Sequence, residues 1–121
     1  MNGLKEIIES QTKFQSYMGH NFKNMTKKER AVYVKENMLW TIDELSEMLH
    51  ELPYAKTWSS KYDRWSSQEH DDQIRLTKEE YIDSLHFLIN IGIGLGMDDE
   101  EIITMYREKN KVNYERQENN Y

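Results

Sequence analysis

The stretches WTIDELSE (residues 40–47) and EEYIDSLHF (residues 79–87) each place two carboxylates three positions apart inside an apolar helical pattern. These carboxylates are Glu44 and Glu47 in the first stretch, and Glu80 and Asp83 in the second. Because positions i and i+3 are neighbours on a helix surface, each stretch presents its two carboxylates in one direction. The two stretches are predicted to face each other, and four converging carboxylates repel one another unless a cation lies between them. The pattern therefore predicts a helical fold built around a cation site.

The ligand chemistry of such a site favours a hard cation. Carboxylate oxygens suit Mg²⁺, which usually binds a few carboxylates and completes its octahedron with water and substrate phosphate. The four acidic residues therefore predict a Mg²⁺ site that handles a phosphate. Two other interpretations stay open. An acidic helix face opposite an apolar one is usually just solvated. A metal site could also use histidine, but the four histidines lack ligand spacing; they are His20, His50, His70 and His86.

Length and composition indicate one domain, residues 1–121, with a single core. A net charge of −6 argues against a general nucleic-acid surface, which needs clustered Lys and Arg. The absence of cysteine excludes disulfides, thiolate zinc sites and thiol nucleophiles, and a cytoplasmic location is the simplest expectation. The N-terminus lacks the apolar run of a signal peptide, and the longest apolar run, residues 85–95, is too short to span a bilayer. We therefore expect neither nucleic acid nor a membrane as a partner.

Helix is the predicted secondary structure throughout. Residues 4–17 have loosely helical apolar spacing, and Thr26 with Glu29 forms a capping box for the longest periodic segment. That segment carries an apolar stripe about six turns long before Pro53 ends it. The stripe consists of Ala31, Val34, Met38, Ile42, Leu45, Leu49 and Leu52, and nearly opposite it lie Glu36, Trp40, Glu44, Glu47 and Glu51.

Residues 54–76 have little periodicity and are predicted to form a long loop. A loop of this length in a compact domain is more often functional or disordered than a simple connector. Lys56 in this loop either contacts phosphates or keeps the loop soluble. Trp58 either stacks on a base or anchors the loop to the core.

A second capping box is predicted at Thr77 and Glu80, followed by a helix that runs through several glycines. The glycines permit close helix approach, and Gly96 is predicted to end the helix. Asp98 then begins a last helix, in which Tyr106 is predicted to face inward.

Two further polar sets lie near the ends of the chain. Gln11 and Gln15 fall on the apolar side of the first helix. They either form a polar edge to a core contact, or one of them, Gln11 by preference, hydrogen-bonds a ligand. Lys109, Asn113 and Arg116 share one helix face near the C-terminus. They either complement the negative end of the helix dipole or form a phosphate-binding arm.

With these motifs placed, the chain resembles the dimeric all-α dUTP pyrophosphatases, relatives of the MazG-like nucleotide pyrophosphohydrolases. The matching segments are DELSE (residues 43–47), LPYAKTW (residues 52–58), EEYIDSLHF (residues 79–87) and YREKNKVNYERQ (residues 106–117). The order of the acidic pairs, the K-x-W motif and the K-x-x-x-N-x-x-R-Q ending are together fairly specific, and the resemblance covers most of the chain beyond residue 30. After R-Q the family usually has Gly-Tyr, whereas this sequence closes on Asn119-Asn120-Tyr121.

The resemblance implies a bundle of four to five helices, assembled as a homodimer in which the partner often completes the site. It implies that Mg²⁺ is bound by Glu44, Glu47, Glu80 and Asp83. One residue of the first pair, Glu44 or Glu47, would act catalytically by orienting the attacking water. The residues implied to meet the phosphates are Lys56, Lys109 and Arg116, and those implied to lie near the base and sugar are Gln11, Trp58 and Asn113.

The implied reaction is Mg²⁺-dependent hydrolysis of dUTP to dUMP and pyrophosphate, with dUDP as a second candidate substrate. Two alternatives stay open. The first is a broad-specificity MazG-like dNTP pyrophosphohydrolase, which a substrate panel would distinguish. The second is a non-catalytic helical module whose acidic face binds a protein, and it predicts that Mg²⁺ leaves the melting temperature unchanged.

Overall fold

The computed structural model describes residues 2–119, and four α-helices account for most of them. The helices are α1 Gly3–Tyr17, α2 Lys27–Glu51, α3 Ser67–Gly94 and α4 Asp99–Glu118, with short 3-10 helices at Phe22–Asn24 and Lys61–Arg64. This part of the chain contains no strand, so the predicted all-α fold class is confirmed. Asn120 and Tyr121 of the unusual ending lie outside the described residues. None of the described helices is long and apolar enough to cross a bilayer.

Helices α2 and α3 form the central pair of the fold and run antiparallel. Polar contacts across the pair join residues that occur in opposite order along the two helices. These contacts are Arg30 with Gly94, Asn37 with Asn90, and Glu51 with Gln73. The antiparallel register places the two acidic stretches at the same level of the pair, facing each other as predicted.

The first predicted capping box is present at the start of α2. The Thr26 hydroxyl accepts a hydrogen bond from the Glu29 backbone N–H at 3.1 Å, and the Glu29 carboxylate accepts from the Thr26 N–H at 3.1 Å. The second predicted box is wrong, because Thr77 lies inside α3 and its hydroxyl donates to a carbonyl one turn earlier. Helix α3 instead begins with a capping box of Ser66 and Glu69, so the loop before it is shorter than predicted.

The end of α3 and the start of α4 agree with the sequence. Gly96 has a left-handed φ of +80°, and its N–H donates to the Ile93 carbonyl at 2.9 Å. The N–H of the next residue donates to the Gly92 carbonyl at 2.9 Å, which completes a Schellman motif. Asp98 then caps α4 by accepting from the Glu101 N–H at 2.9 Å.

Helix α3 lies close to α2 at the buried Gly94, as predicted for its glycines. A Cβ atom added at Gly94 would lie 2.8 Å from Val34 Cγ2 and 3.0 Å from Tyr33 Cδ1. Both distances are shorter than ordinary van der Waals contact. The close α2–α3 contact therefore requires a residue without a side chain at position 94.

We expect Gly94→Ala to lower the free energy of unfolding by about 1–3 kcal/mol, because the added methyl overpacks this contact. Gly92→Ala is the matched control on the same helix. Its Cβ would meet Ile102 Cδ1 at 3.8 Å, an ordinary contact, so the better helix propensity of alanine should stabilise by up to about 1 kcal/mol. Urea unfolding of the two variants measures the difference, and equal effects would contradict the close approach.

The apolar stripe of α2 does not form the core within this chain. The side of α2 that packs on α3 carries the buried residues Tyr33, Asn37 and Thr41. Apart from Val34, which meets Gly94, the stripe lies on the outside, where Ile42 is 61% exposed and Leu49 is 58% exposed. An apolar helix face therefore stays uncovered by the residues that the structure describes.

Helix α4 packs on the rest of the fold through its first turns. Ile102 is half-buried beside Gly92 of α3, and Ile103 is half-buried as well. The prediction that Tyr106 faces inward is wrong, since Tyr106 is 72% exposed. Every side chain from residue 104 to 119 is exposed, and we call this part of α4 the C-terminal arm.

Candidate metal centre and adjoining cleft

Three of the four predicted carboxylates converge between α2 and α3. Carboxylate oxygens of Glu44, Glu47 and Glu80 all lie within 4.8 Å of one another, and we call these residues the acidic cluster. Glu44 and Glu47 are one turn apart on α2, and the antiparallel register brings Glu80 of α3 to their level. Oxygens on opposite sides of an octahedral Mg²⁺ lie about 4 Å apart, so the cluster is near the spacing of a shared cation.

Two oxygens of the acidic cluster are buried without a hydrogen-bond partner, namely Glu44 Oε2 and Glu80 Oε2. Native proteins rarely leave buried polar atoms unpaired, because such atoms lose their hydration and gain nothing in exchange. A cation between the helices would pair both oxygens at once. The donor set and its unpaired oxygens therefore fit a hard divalent ion.

The acidic cluster is electrostatically unfavourable without a cation. The pKa of Glu47 is raised, first by the charge of Glu80 and then by partial burial. The pKa of Glu80 is also raised, first because its protonated form can hydrogen-bond to the Glu44 carboxylate, and then by burial and by the charges of Glu44 and Asp83. A divalent cation would remove this repulsion, so the pKa shifts support the same interpretation as the unpaired oxygens.

Asp83, the fourth predicted ligand, does not join the three residues that lie within 4.8 Å. Asp83 lines a cleft together with Glu44, and its charge contributes to the raised pKa values of Glu47 and Glu80. Asp83 therefore lies at the edge of the acidic cluster. His86, one turn further along α3, lines the same cleft.

The cleft beside the acidic cluster has a volume of about 360 Å³ and lies between α1, α2 and α3. Its lining residues are Gln11, Phe14, Gln15, Glu44, Asp83, His86, Phe87 and Asn90. Gln11 is thus beside the acidic residues, and its amide donates to Asn90 at 2.9 Å. A ligand whose phosphates met the acidic cluster would extend along the cleft towards Gln11.

Comparison with known proteins assigns the chain to a family. The family described as dUTPase matches residues 3–98 and 89–121. The chain belongs to the dUTPase family. The resemblance drawn from the acidic pairs and the C-terminal motif is thereby confirmed.

The curated relatives of this dUTPase-family chain include phage proteins. The dCTP pyrophosphatase of Enterobacteria phage T4 is 41% identical over 71 residues, which are 54% of this chain and 41% of that protein. The dCTP pyrophosphatase of Enterobacteria phage LZ5 is 38% identical over 71 residues, with the same coverage of 54% and 41%. The DNA replication protein of phage T4 is 38% identical over 61 residues, which are 46% of this chain and 15% of that protein. The chain thus spans less than half of each relative, and no solved structure matches it significantly.

Lys56 and Trp58 of the predicted K-x-W motif lie apart from this cleft. They contribute to a second cavity of about 200 Å³, lined by Leu49, His50, Ala55, Lys56, Trp58 and Tyr62. Trp58 is 82% exposed, so it does not anchor the loop. The buried Tyr62 does so, packing against Tyr54 and Trp65 at ring-centroid distances of 5.2 Å and 4.8 Å. Trp58 is therefore free to contact a ligand.

Lys109, Asn113 and Arg116 lie on the exposed C-terminal arm. None of the three lines the cleft or the second cavity. A single chain, over the residues described, therefore does not bring the cationic face of the arm to the acidic cluster.

Sequence reasoning missed the polar residues behind Gln11. Asn37 and Asn90 are buried, at 1% and 3% exposure, and hydrogen-bond each other across α2 and α3 at 3.0 Å. Gln15, which was considered with Gln11 from the sequence, does line the cleft one turn further along α1, where it accepts from the Tyr33 hydroxyl at 2.8 Å. The available sequence signal was an asparagine inside an apolar run, as Asn90 is within residues 85–95.

Proposed function

We propose that this dUTPase-family protein is a Mg²⁺-dependent nucleotide pyrophosphohydrolase that converts dUTP to dUMP and pyrophosphate. The observation that carries the proposal is the convergence of Glu44, Glu47 and Glu80, together with the two buried oxygens that have no partner. The acidic cluster offers a cation site for the phosphates, and the adjoining cleft offers amide side chains for a base. The two features lie side by side, as a nucleotide requires.

Each acidic residue has a role in this proposal. Glu44 and Glu80, each of which has a buried oxygen without a donor, would hold Mg²⁺, and Glu47 with Asp83 would complete the ligand set. When bound, Mg²⁺ polarises the phosphate oxygens and lowers the pKa of a coordinated water. Glu47 is the exposed member of the cluster, so it is better placed than the half-buried Glu44 to meet the attacking water and take its proton.

The remaining predicted residues bind the substrate in this proposal. Lys56, Lys109 and Arg116 offset the negative charge that develops on the phosphates. Gln11, Trp58 and Asn113 contact the base and sugar. Two of these six, Lys56 and Trp58, belong to the loop before α3, and three belong to the C-terminal arm.

The active unit in this proposal is a homodimer, in which the arm of one chain reaches the site of the other. Two surfaces support it: the uncovered apolar stripe of α2 and the exposed C-terminal arm. Soluble monomers rarely expose contiguous apolar patches of this kind, and such patches usually mark interfaces. A second copy would cover the stripe and bring cations towards the acidic cluster.

Ile42→Asp is expected to dissociate this dimer, because it places a charge in the centre of the stripe. Size exclusion with light scattering at micromolar concentration should give twice the chain mass of 14.7 kDa for the natural protein and 14.7 kDa for the variant. Glu36→Lys changes the charge off the stripe on the same helix and should leave the mass at the dimer value. A natural protein of monomer mass would contradict the homodimer.

A substrate panel tests the reaction itself. With Mg²⁺ we expect dUTP to give dUMP and pyrophosphate, and dTTP and dATP to react at least about tenfold more slowly. EDTA should abolish turnover. Because two of the phage relatives are named dCTP pyrophosphatases, dCTP is a further candidate substrate. Equal rates on all four nucleotides would indicate the broad-specificity alternative. No turnover, together with no effect of Mg²⁺ on melting temperature, would indicate the non-catalytic module.

A further inference from the structure

A chain of three amides runs from the buried α2–α3 contact to the cleft, and we call Asn37, Asn90 and Gln11 the amide relay. Asn37 Nδ2 donates to the Tyr33 carbonyl at 2.9 Å. Asn90 Nδ2 donates to Asn37 Oδ1 at 3.0 Å, and Gln11 Nε2 donates to Asn90 Oδ1 at 2.9 Å. Both asparagines are almost completely buried, whereas Gln11 lines the cleft.

The direction of the amide relay is fixed at its buried end. A backbone carbonyl can only accept, so Asn37 must turn its NH₂ group to Tyr33 and its oxygen to Asn90. Asn90 must then donate to Asn37 and offer its own oxygen to Gln11. Gln11 in turn must use its NH₂ group on Asn90. Reversing any one amide would set two acceptors or two donors against each other in a buried place.

Gln11 Oε1 is therefore the polar atom that the amide relay leaves for a ligand. Over residues 2–119 this oxygen has no hydrogen bond within the chain, so it is an acceptor without a donor. Gln15, one turn along α1, has its oxygen engaged by the Tyr33 hydroxyl, which leaves its NH₂ group as a donor. The α1 side of the cleft thus offers one acceptor beside one donor.

We infer that Asn37 and Asn90 are positioning residues for base selection, because they hold Gln11 with its acceptor oxygen towards the cleft. The inference rests on the proposed function and adds that the base must donate an N–H to Gln11. Uracil has a donor at N3 and cytosine has one in its 4-amino group, so both fit a fixed acceptor. A base edge that carries only acceptors could not form a hydrogen bond with Gln11 Oε1, because neither partner has a proton to donate.

The competing explanation is that the two asparagines only lock the register of α2 and α3. That role predicts a loss of stability when either is replaced, but no change in how the site discriminates between bases. The ratio of kcat/KM for two bases therefore separates the two explanations, because a loss of stability alone lowers both values in proportion.

The test uses two substrates, the preferred natural pyrimidine triphosphate and the 2-pyrimidinone deoxyribonucleoside triphosphate, whose base has acceptors at O2 and N3 and no N–H. The natural protein should prefer the natural substrate by at least about tenfold in kcat/KM. Asn90→Leu and Asn37→Leu should each reduce this preference to within about threefold, because a released Gln11 amide can rotate to donate to N3. Asn90→Ser is the second variant should the leucine variants fail to fold.

Thr41→Val is the matched control. Thr41 is buried next to the amide relay and donates to the Asn37 backbone carbonyl at 2.7 Å, but its side chain is not in the relay. This variant should lose stability and keep the tenfold preference. The inference is overturned if the folded Asn90 variant also keeps the tenfold preference for the natural substrate. It is overturned as well if the natural protein uses both substrates with equal kcat/KM. In both cases the proposed function stands. Absence of turnover on every nucleotide would instead overturn the proposed function, and the inference with it.

Discussion

Glu47→Gln is expected to lower kcat by about 10²–10⁴-fold, because the amide cannot take the proton of the attacking water. Glu47 is the exposed member of the acidic cluster, so its carboxylate is open to a water molecule that approaches from solvent. The other ligands stay in place, so KM for the nucleotide should change much less than kcat. A coupled assay for pyrophosphate release under Mg²⁺ saturation measures both constants.

Glu36→Gln is the control for this prediction. It makes the same chemical change at an exposed position of the same helix, three turns before Glu47 and outside the acidic cluster. Its kcat should equal that of the natural protein. A Glu47→Gln variant with more than about a third of the natural kcat would rule out Glu47 as the proton acceptor, since general-base catalysis contributes far more than that.

Glu80→Gln is expected to have opposite effects on stability and on activity. Near neutral pH and in EDTA, its melting temperature should be higher than that of the natural protein, because one of the mutually repelling carboxylates has become neutral. Its activity should fall roughly 10²–10³-fold, as is typical when one group that stabilises transition-state charge is removed. The rise in melting temperature that Mg²⁺ gives the natural protein should shrink or vanish.

The sign of the stability effect follows from the pKa shift. The folded protein raises the pKa of Glu80, so the folded state binds this proton more tightly than the unfolded state. The stability that the proton contributes is present below the ordinary value of 4.5 and is lost as the pH rises through the higher folded-state pKa. The gain from Glu80→Gln should therefore be seen near neutral pH and should disappear near pH 4.5. A melting temperature that falls equally at both pH values would contradict the repulsion in the acidic cluster.

The helices and the acidic pairs could be predicted because they depend on local spacing. Residues three positions apart share a helix face in any tertiary context, so Glu44 and Glu47 had to point the same way. The start of α3 was missed because residues 67–76 are too polar to show an apolar period. The sequence contains two pairs with the spacing of a capping box, Ser66 with Glu69 and Thr77 with Glu80. Spacing alone does not show that the first pair begins α3 and that the second lies inside it.

The packing of α2 could not be predicted, because periodicity shows that an apolar face exists but not which molecule covers it. Helix α3 packs on the side of Asn37 and Thr41, and the stripe with Ile42 is left outside. The amide relay could not be predicted from the sequence for a related reason. It depends on the register that sets Asn37 opposite Asn90, and this register is a property of two helices together.

The candidate site was predicted in part for the same reasons. Glu80 meets the α2 pair because both stretches face the centre of the antiparallel pair. Asp83, one turn away, lies at the edge because the inner side of α3 continues through the buried Ser84 instead. The roles of Lys109 and Arg116 stay a prediction, since their arm extends from the single chain and its contacts in a dimer are not fixed by sequence spacing.

A crystal structure with Mn²⁺ and a non-hydrolysable α,β-imido analogue of dUTP tests the metal centre most directly, because anomalous scattering locates Mn²⁺ without assumptions about the ligands. We expect an anomalous peak between α2 and α3. The Mn²⁺ ion at this peak should be coordinated by oxygens of Glu44 and Glu80 and by the phosphates of the analogue. The contrary result would be an analogue whose phosphates lie elsewhere, with no anomalous peak in the acidic cluster and its carboxylates turned apart into solvent. This result would contradict a metal site between α2 and α3.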